Sequence, residues 1–585
     1  MNTKLDTCRS ALRVHNTQYA IRSTKNGFVL PLVIIAMVIL MALIIGATMT
    51  SYGSRIQAVQ TKSQTEAMLA AEAGYEQAIF WMSQQGDILG AIPGNGSITF
   101  GTGSCSYTIN FHGFIGARPV FRVTSTGICG RPSFTRIVDV DVVQETSGWA
   151  MGSCRIPNGS SSTMGVNFVD GEIIDIPLHI NKAGDSPDVG DIFISGSPIF
   201  RQKVEMSESR KIGSSDKSIY TSTTGGLTLL GNYSTIVPLF RNGIDFDQPN
   251  VRITDATAVQ SKVNRFRDST AAAYKFTPNL TGCPTTPPFD SYKCPATQLE
   301  FFVQGGVGKV RITNNCAVVL NAPAPYDYNI VTGSNPTMFH QYNIYGYHYK
   351  SNNAAYQKTY SITDTYVTQT IGGYTSDPGG QIYVNGNVII GGDSNATFPD
   401  PNQVVQGKIT VVATGNIWIA DSIRVDGAHT TDANNKPTDT NPNVLGLIAQ
   451  GVIKVVDPGR SPTSPSSVSG YTYQPIGNSG ASGRYLPDPT IVEAAMTIGG
   501  GGWGAEYVGG SGGRKEFSGS KDNLRVCGSI TEVIRGIVGQ SSPDDGYIKN
   551  YYIDTRLMSG ILPGDIWFSG KYIPAPAGWH DHSAN

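Results

Sequence analysis

The most constraining feature of this chain is an uncharged apolar segment, residues 28–49, which begins well inside the sequence. Its length matches the roughly 20 residues that a helix needs to cross the hydrocarbon core of a membrane. One acidic residue, Asp6, and five basic residues precede it: Lys4, Arg9, Arg13, Arg22 and Lys25. Because basic residues before a first span hold that end in the cytoplasm, we expect the chain after this segment to lie outside the cytoplasm.

The helix that begins in this segment is predicted to continue far beyond it. Residues 32–85 contain no proline. The sequence therefore predicts one helix from Phe28 to Gln85, roughly 58 residues and 87 Å long at 1.5 Å per residue. A secretory signal peptide would instead end after a shorter apolar core. The distal half has an apolar stripe at helical spacing, which indicates one buried face: Met68, Ala71, Tyr75, Ala78, Ile79 and Met82.

Two short motifs accompany this helix. Gly27-Phe28 joins the basic leader to the apolar segment, and AMLAAEAGYEQAI occupies residues 67–79. With these motifs, residues 22–147 resemble the type IV pilin superfamily, and specifically the PilX-type N-terminal domain of pilus assembly proteins. The resemblance implies that prepilin peptidase removes a leader, residues 1–27, after Gly27 and that the new amine of Phe28 is methylated. The leader is longer than most prepilin leaders.

The fifth position after the expected cleavage site departs from the pilin pattern, because it is Leu32 where most pilins have Glu. In pilin filaments that carboxylate neutralises the N-terminal amine of a neighbouring subunit inside an apolar bundle, where an unpaired charge is strongly unfavourable. A subunit without the carboxylate fits best at the filament tip, and K-type minor pseudopilins are similar in this respect. The alternative is that Leu32 faces lipid in a membrane protein that never enters a filament.

The composition after the helix is typical of an extracytoplasmic β-rich protein. The chain has 68 Gly and 33 Pro, and only 15% of its residues are charged. No basic patch with interleaved aromatic residues occurs, so we expect no nucleic-acid partner. Up to residue 147, four segments alternate apolar and polar residues between Gly- or Pro-containing turns, which predicts a small antiparallel sheet under the helix. The predicted class is α+β, mostly β, with a pilin-like unit at 28–147 and a large β-rich domain at 148–585.

Short apolar runs with glycine corners recur in the large domain. Gly386-Asn387-Val388, Gly415-Asn416-Ile417 and Gly451-Val452-Ile453 align at steps of 29 and 36 residues. Regular strand–turn units favour a parallel β-helix, in which Gly and Asn accept the left-handed backbone of sharp corners; the alternative is an irregular β-sandwich. A β-helix would stack the apolar side chains of successive units inside the domain: Val388 with Ile417 and Ile453, and Ile390 with Ile419 and Val455.

Three segments are predicted to be loops inserted into these units: residues 323–378, 426–443 and 457–522. The first is rich in tyrosine. Exposed tyrosines can form an adhesive surface because they bury area at low entropy cost, although the same residues can simply cover the domain. The last is rich in Gly, Ser and Pro.

The cysteines leave two alternatives open. Cys105 and Cys129 are at the open ends of a predicted hairpin, and Cys283 and Cys294 bracket a Pro-rich loop. Because export permits disulfides, each pair is a candidate bridge. The alternative is that they are small buried thiols, as we expect for Cys527.

No catalytic motif is present in the sequence, and we expect neither enzymatic activity nor a cofactor. Asp421, Arg424 and Asp426 are the candidates if the domain acts on polysaccharide, although an exposed polar rim is the better explanation of these residues. His580-Asp581-His582 is predicted to belong to a polar tail. Calcium is the one cofactor considered, because one predicted loop offers oxygen donors, but their spacing is not that of an EF-hand and ordinary turns use the same residue types. The donors are Asp426, Asp432, Asn434, Asp439 and Asn441.

These observations predict a minor pilin-like subunit of a type IV pilus or a related secretion pseudopilus. Its expected partners are prepilin peptidase, other minor pilins or pseudopilins and the membrane. We expect it in the inner membrane with its C-terminal region outside the cytoplasm, and at the cell surface once assembled. The large domain would serve assembly initiation or adhesion, and the sequence does not assign its surface or glycan ligand. The alternatives are a membrane-anchored β-helix enzyme acting on polysaccharide and a static envelope protein.

Overall fold

A computed structural model of the 585-residue chain gives the fold. The residues that the structure describes are 29–85, 88–101, 103–116, 118–130, 133–145, 148–153, 156–158, 162–164, 166–182, 192–209, 219–223, 226–229, 237–251, 256–279, 293–320, 344–349, 357–391, 402–455, 466–468, 471–475, 488–499, 502–505, 522–536, 538–541, 544–559 and 571–583. Gly27 and Phe28 lie outside them, as does the rest of the predicted leader.

The predicted N-terminal helix is present as α1, Val29–Ser83, 55 residues long. By length and composition it can cross a membrane. Its apolar first half is exposed, whereas Ala67, Ala71, Ala78 and Met82 in its second half are fully buried. A one-turn helix, α2 (Ile88–Ala91), follows it. The same helix therefore presents two different surfaces along its length.

The second half of α1 packs on an antiparallel sheet, as the alternation predicted. Four consecutive strands form the meander: β1 Gly94–Phe100, β2 Gly103–Ile115, β3 Arg118–Cys129 and β4 Phe134–Gln144. Each pairs with the next in antiparallel register. Their inward side chains form one core with the helix. We call α1 with this sheet the helix–sheet module.

The large domain contains strands β5 to β37, and we call this part of the chain the ladder domain. They are β5 Trp149–Ser153, β6 Ile156–Asn158, β7 Ser162–Met164, β8 Val166–Val169, β9 Ile173–Asp175, β10 Leu178–Ile180, β11 Ile192–Ser195, β12 Ile199–Phe200, β13 Val204–Met206, β14 Ile219–Thr223, β15 Gly226–Leu229, β16 Ile244–Asp245, β17 Lys275–Phe276, β18 Lys293–Gln304, β19 Val307–Leu320, β20 Ile344–Tyr349, β21 Gln357–Ser361, β22 Tyr366–Ile371, β23 Tyr374–Val384, β24 Asn387–Ile390, β25 Asn402–Val405, β26 Lys408–Ala413, β27 Ile417–Ile419, β28 Ser422–Val425, β29 Val444–Ala449, β30 Ile453–Val455, β31 Ser466–Val468, β32 Tyr471–Pro475, β33 Thr490–Ile498, β34 Trp503–Ala505, β35 Asp522–Ile534, β36 Gly539–Ser541 and β37 Asp544–Ile553.

The final strand corrects the predicted boundary of the large domain. β38, Tyr572–Ser583, pairs antiparallel with β4 and completes a five-stranded sheet in the helix–sheet module. Tyr572 enters the core of that module, and the Trp579 ring lies 5.2 Å from Tyr75. The predicted polar tail, His580 to His582, is therefore part of a strand. The sequence hid it because Pro574 and the break in register before Trp579 interrupt the alternation.

Parallel strands form three ladders in the ladder domain. In spatial order, the first runs through β23, β26, β29, β33, β35, β5, β10, β13 and β16. The second runs through β25, β28, β33, β35, β37, β9 and β12. The third runs through β18, β24, β27, β30 and β34. A shorter parallel set in a separate sheet joins β8, β11 and β14.

The stacking predicted from the Gly–Asn corners is confirmed. Val388 pairs in parallel with Ile417, and Ile417 with Ile453. Ile390, Ile419 and Val455 repeat the same alignment, and all six side chains are fully buried in one core. Parallel register places equivalent residues of successive units directly above one another, so one apolar position continues through the stack.

The order of strands in space differs from their order in the chain. β5 lies between β35 and β10, so the chain enters the ladder domain in the middle of the first ladder. It proceeds through β10, β13 and β16, then passes through helix α3, Ala256–Ser269, to β17, which pairs with β23. From there the strands lead back to β35. The ladder domain thus joins its first described strand, β5, to β35, which is near the end of the domain in sequence. We call this pairing the closure of the ladder domain.

Two of the three predicted insertions are only partly loops. Residues 426–443 contain no strand and match the prediction. Within 457–522, however, Thr490–Ile498 is a fully buried strand shared by two ladders. Within 323–378, β20, β21 and β22 pair antiparallel with their neighbours. The predictions failed here because the polar and Gly-rich flanks of these short strands dominate the composition.

The structure has Cys105 and Cys129 as buried thiols outside any disulfide. Cys105 pairs with Gly127, so the two cysteines are not opposite each other. Burial raises the pKa of the Cys105 thiol. The alternative of small buried thiols therefore describes this pair and Cys527. Cys283 lies outside the described residues, so the second predicted bridge stays a prediction.

Candidate functional site

The first half of α1 is an exposed apolar surface that no other described part of the chain covers. Every large apolar side chain from Val29 to Ile45 has an exposed fraction between 45% and 73%. Leu32, the position that departs from the pilin pattern, is 64% exposed. Contiguous exposed apolar surface of this extent marks a contact with membrane or protein. No acidic residue occurs between Leu32 and Ile45.

The AMLAAEAGYEQAI motif is explained by close contact between helix and sheet. A Cβ on Gly127 would lie 2.2 Å from the carbonyl oxygen of Ala67 and from the backbone nitrogen of Ala71. A Cβ on Gly74 would lie 2.2 Å from Ser125 Oγ, and that hydroxyl donates to the carbonyl oxygen of Ala71 at 2.7 Å. Small residues on both surfaces therefore let α1 approach β3 closely and fix its position along the strand.

Two contacts between the helix–sheet module and the ladder domain involve residues that the structure describes. At the end of β4, Lys571 Nζ lies 2.9 Å from Glu145 Oε2 and 3.7 Å from Glu205 Oε1. At the other contact, the Tyr374 ring lies 5.9 Å from that of Phe111. Because the two contacts are separate, they restrict rotation of the ladder domain relative to the helix–sheet module.

The corners of the third ladder are joined by asparagine side chains. Asn387 Oδ1 accepts from the backbone N–H of Asn416 at 3.0 Å, and Asn416 Oδ1 accepts from that of Val452 at 2.9 Å. A Cβ on Gly451 would lie 2.0 Å from Asn416 Oδ1. Gly451 is required for space beneath this oxygen. Gly386 has the positive φ, +155°, that the sequence predicted for a glycine corner.

The inserted loop 426–443 is held against the second ladder by buried polar contacts. Arg556, 2% exposed, pairs with Asp554 and donates to the carbonyl oxygens of Asn441 and Asn443 at 2.6 and 2.8 Å. His429 Nε2 lies 3.0 Å from Glu493 Oε2. Hydrogen bonding to Glu493 raises the pKa of His429. The loop is therefore clamped at both ends.

The residues considered for calcium make hydrogen bonds within the loop 426–443 and to its neighbours. Four of them have side-chain hydrogen bonds: Asp426 with Gln406, Asp432 with Thr430, Asp439 with Thr555, and Asn441 with the carbonyl oxygen of Ala428. The fifth, Asn434, donates its backbone N–H to Asp432. Among the described residues, no group of three or more His, Cys, Asp or Glu side chains is placed to hold a metal ion. These contacts account for the residue types as turn and clamp residues.

The residues considered for polysaccharide chemistry have separate surroundings. Asp421 is 3% exposed, and Gln403 donates to it at 2.6 Å. Arg424 lies near His429, and Gln406 donates to Asp426 at 2.9 Å. These contacts anchor strands and the loop.

A buried carboxyl marks the place where the ladder domain closes. Glu532 on β35 accepts from the indole N–H of Trp149 on β5 at 2.8 Å and from the backbone N–H of Trp503 at 2.7 Å. Burial raises the pKa of Glu532 to about 7. A second buried contact, the pair of Lys549 and Glu172, joins β37 to the turn before β9. Sequence reasoning missed these residues because their partners are hundreds of positions away.

No protein-family model matches the chain, and no curated protein matches it. Among solved structures, the competence-associated pilin ComZ from Thermus thermophilus is similar to 89% of this chain and to 98% of its own, with 12% sequence identity. The TM-score of that similarity is 0.24. A score at this level establishes neither a shared fold nor a shared activity.

Proposed function

We propose that this chain is a pilin-like subunit that α1 anchors first in the inner membrane and then among the helices of other pilins. The observation that supports the proposal is the division of α1 into an exposed apolar half and a half packed on the sheet. Water solvates such a surface poorly, whereas lipid and neighbouring apolar helices both suit it. The ladder domain then lies outside the cytoplasm.

Processing by prepilin peptidase follows from the Gly27-Phe28 junction and the PilX-type resemblance. Leu32 is the basis for a place at the filament tip, where no subunit above presents an amine that needs a carboxylate. The ladder domain supports the same position because of its size. It would clash if repeated along a tightly packed filament, whereas above a tip there is only solvent. The subunit then serves assembly initiation or adhesion.

The ladder domain fits a parallel β-helix into which the loop 426–443 is inserted. Three parallel ladders, a continuous apolar interior and the asparagine corners support this architecture. The role proposed for it is display of a binding surface, without catalysis. The separate surroundings of Asp421, Arg424 and Asp426 favour display over action on polysaccharide.

The test of the anchoring role is processing in cells. Gly27→Leu should keep the leader, so the protein should migrate as the longer precursor, as it should in a strain without prepilin peptidase. Gly46→Leu is the matched control, because a side chain at Gly46 meets no atom within 4 Å. That variant should mature normally. Identical mobility of the wild-type protein with and without the peptidase would reject the proposal.

The test of the tip position is the distribution of the protein along filaments. Immunogold against the ladder domain should label one end of each filament, at low copy number. Even labelling along the shaft would reject the tip position while leaving membrane anchoring and processing in place.

A further inference from the structure

A lysine side chain is buried inside the ladder domain. Lys549 lies on β37 between Tyr547 and Tyr551, at alternate positions that share one face of the strand. Lys549 is 1% exposed, and both tyrosines are fully buried. The Nζ of Lys549 lies 5.3 Å from the centre of the Phe168 ring, which is also fully buried. Because lysine is almost never fully buried unless it is paired, its partner decides what this position can do.

The partner is Glu172, in the turn between β8 and β9. Lys549 Nζ is in direct contact with Glu172 Oε1, and both side chains are 1% exposed. The second carboxylate oxygen, Oε2, accepts from the backbone N–H of Val169 at 3.1 Å. The two oxygens therefore have different roles, because one faces the amine and the other is held by the backbone.

This environment favours a neutral product over an ion pair. Removing two charges from water is unfavourable, and their attraction offsets that cost only when the geometry is excellent. An amide made from the same atoms has no net charge. Groups held in contact also react as if at an effective concentration of ~10⁵–10⁸ M. Since both side chains are almost completely excluded from solvent, water has little access to hydrolyse the product.

We propose that Lys549 and Glu172 form an intramolecular isopeptide bond, an amide between Nζ and Cδ. The ammonium gives one proton to Oε1, so that a neutral amine faces a carboxylic acid. The amine nitrogen then attacks Cδ, the bond from Cδ to Oε1 breaks, and Oε1 leaves as water with the acid proton and one amine proton. Oε2 becomes the amide oxygen and keeps the hydrogen bond from Val169. The step needs no oxidant, reductant or further reactant.

The bond joins two segments that are 377 positions apart in the chain. β37 and β9 already pair in parallel, and β37 also pairs with β35, one of the two strands of the closure. The cross-link therefore fixes covalently a part of the ladder domain that hydrogen bonds otherwise hold. It goes beyond the proposed function and can fail separately, because the bond needs neither leader processing nor a filament.

The experiment digests the purified full chain, taken from detergent, and identifies its peptides by mass spectrometry. We expect one linked species that contains Lys549 and Glu172 and is lighter by one water than its two peptides together. Lys203 and Asp245 are the matched control in the same digest. Their charged atoms lie 2.6 Å apart, but the side chains are 50% and 44% exposed, so they should be recovered without a link. Recovery of the Lys549 and Glu172 peptides only as separate species of full mass would overturn the inference.

Lys549→Met provides a second measurement, because it removes the amine and keeps an unbranched apolar side chain. On denaturing electrophoresis the variant should migrate differently from wild type, since the unfolded wild-type chain contains a closed loop and the variant does not. Lys203→Met should migrate as wild type does. Neither readout requires the variant to fold. Equal mobility of wild type and Lys549→Met would also overturn the inference and leave an ordinary buried ion pair.

Discussion

The helix–sheet module and the ladder domain build their cores by opposite means. In the module, β1 to β4 follow one another in the chain and pair antiparallel, so neighbours in sequence are neighbours in space. In the ladder domain, each stacking partner belongs to another unit, as Ile417 does for Val388. The core of the module therefore depends on the alternation of apolar and polar residues within each strand. The core of the ladder domain depends on apolar residues at equivalent positions of successive units, which pair in parallel.

Both parts nevertheless close through residues far apart in the chain. The module receives β38 from the C-terminal end, and the ladder domain joins β5 to β35. The two closures predict different responses to change. Loss of β38 affects the module, whereas a change at Glu532 affects the ladder domain.

The largest expected effect is that of removing β38. A chain ending at residue 571 lacks Tyr572, which is in the core of the module, and the strand that pairs with β4. Loss of one large buried aromatic residue typically costs ~3–5 kcal/mol, and here the pairing of a whole strand is lost as well. We expect the module to become protease-sensitive while the ladder domain stays protected.

The control for this truncation is a chain ending at residue 583, which keeps all of β38. Limited proteolysis with mass spectrometry identifies the cleaved segments. Protection of residues 94–144 in the shorter chain would show that the four-stranded meander is stable without β38. Simultaneous loss of protection in the ladder domain would show that the two parts unfold as one unit.

The second prediction concerns the closure of the ladder domain and its dependence on pH. The pKa of Glu532 is raised by burial to about 7, from 4.5. Between these values the folded state keeps a proton that the unfolded state has lost, so stability should fall as pH rises through this window. The difference corresponds to on the order of 3 kcal/mol at 1.36 kcal/mol per pKa unit.

Glu532→Gln should remove this fall, because an amide does not ionise. Its one oxygen can replace only one of the two carboxylate oxygens that accept from Trp149 and Trp503, so the variant should also be less stable than wild type at low pH. Chemical denaturation of the ladder domain between pH 4.5 and 7 measures the effect. Glu76→Gln, on the exposed side of α1, should keep the wild-type dependence. If the Glu532→Gln variant shows the same slope as wild type, then another group causes it.

The sequence predicted those parts of the fold whose pattern is local. The apolar helix, the four-strand meander and the stacking of Val388, Ile417 and Ile453 all follow from short-range periodicity, and the structure contains them. The strand Thr490–Ile498 was missed because its flanks resemble a loop. β38 was missed because one bulge and two prolines hide its alternation.

The candidate sites were less predictable than the fold. The Gly27-Phe28 motif is readable because it is contiguous, although it lies outside the described residues. The contact of α3 with the first ladder is not readable, because Val263 and Tyr383 are on separate elements that meet only through packing. Glu532 and Trp149 meet only after the ladder domain closes. Convergence of this kind depends on topology, and topology is absent from any single window of sequence.

The smallest expected effect concerns the corner asparagines, which only the ladder domain has. Asn416→Ala removes the acceptor of the Val452 N–H and leaves that buried donor unsatisfied, at a cost of ~1–3 kcal/mol. Asn434→Ala, in the loop 426–443, should change stability by less than about 0.5 kcal/mol. Chemical denaturation measures both variants.

A double-mutant cycle sharpens this prediction into a test of the corner itself. Gly451→Ala alone should destabilise the ladder domain, because the new Cβ would lie 2.0 Å from Asn416 Oδ1. In the Asn416→Ala background that oxygen is gone, so the same substitution should cost less, although the carbonyl oxygen of Gly415 remains 3.1 Å away. Contacting residues typically show coupling of ~0.5–3 kcal/mol. If the two penalties simply add, the glycine is required by its own backbone conformation, and the space beneath the asparagine is not the reason for it.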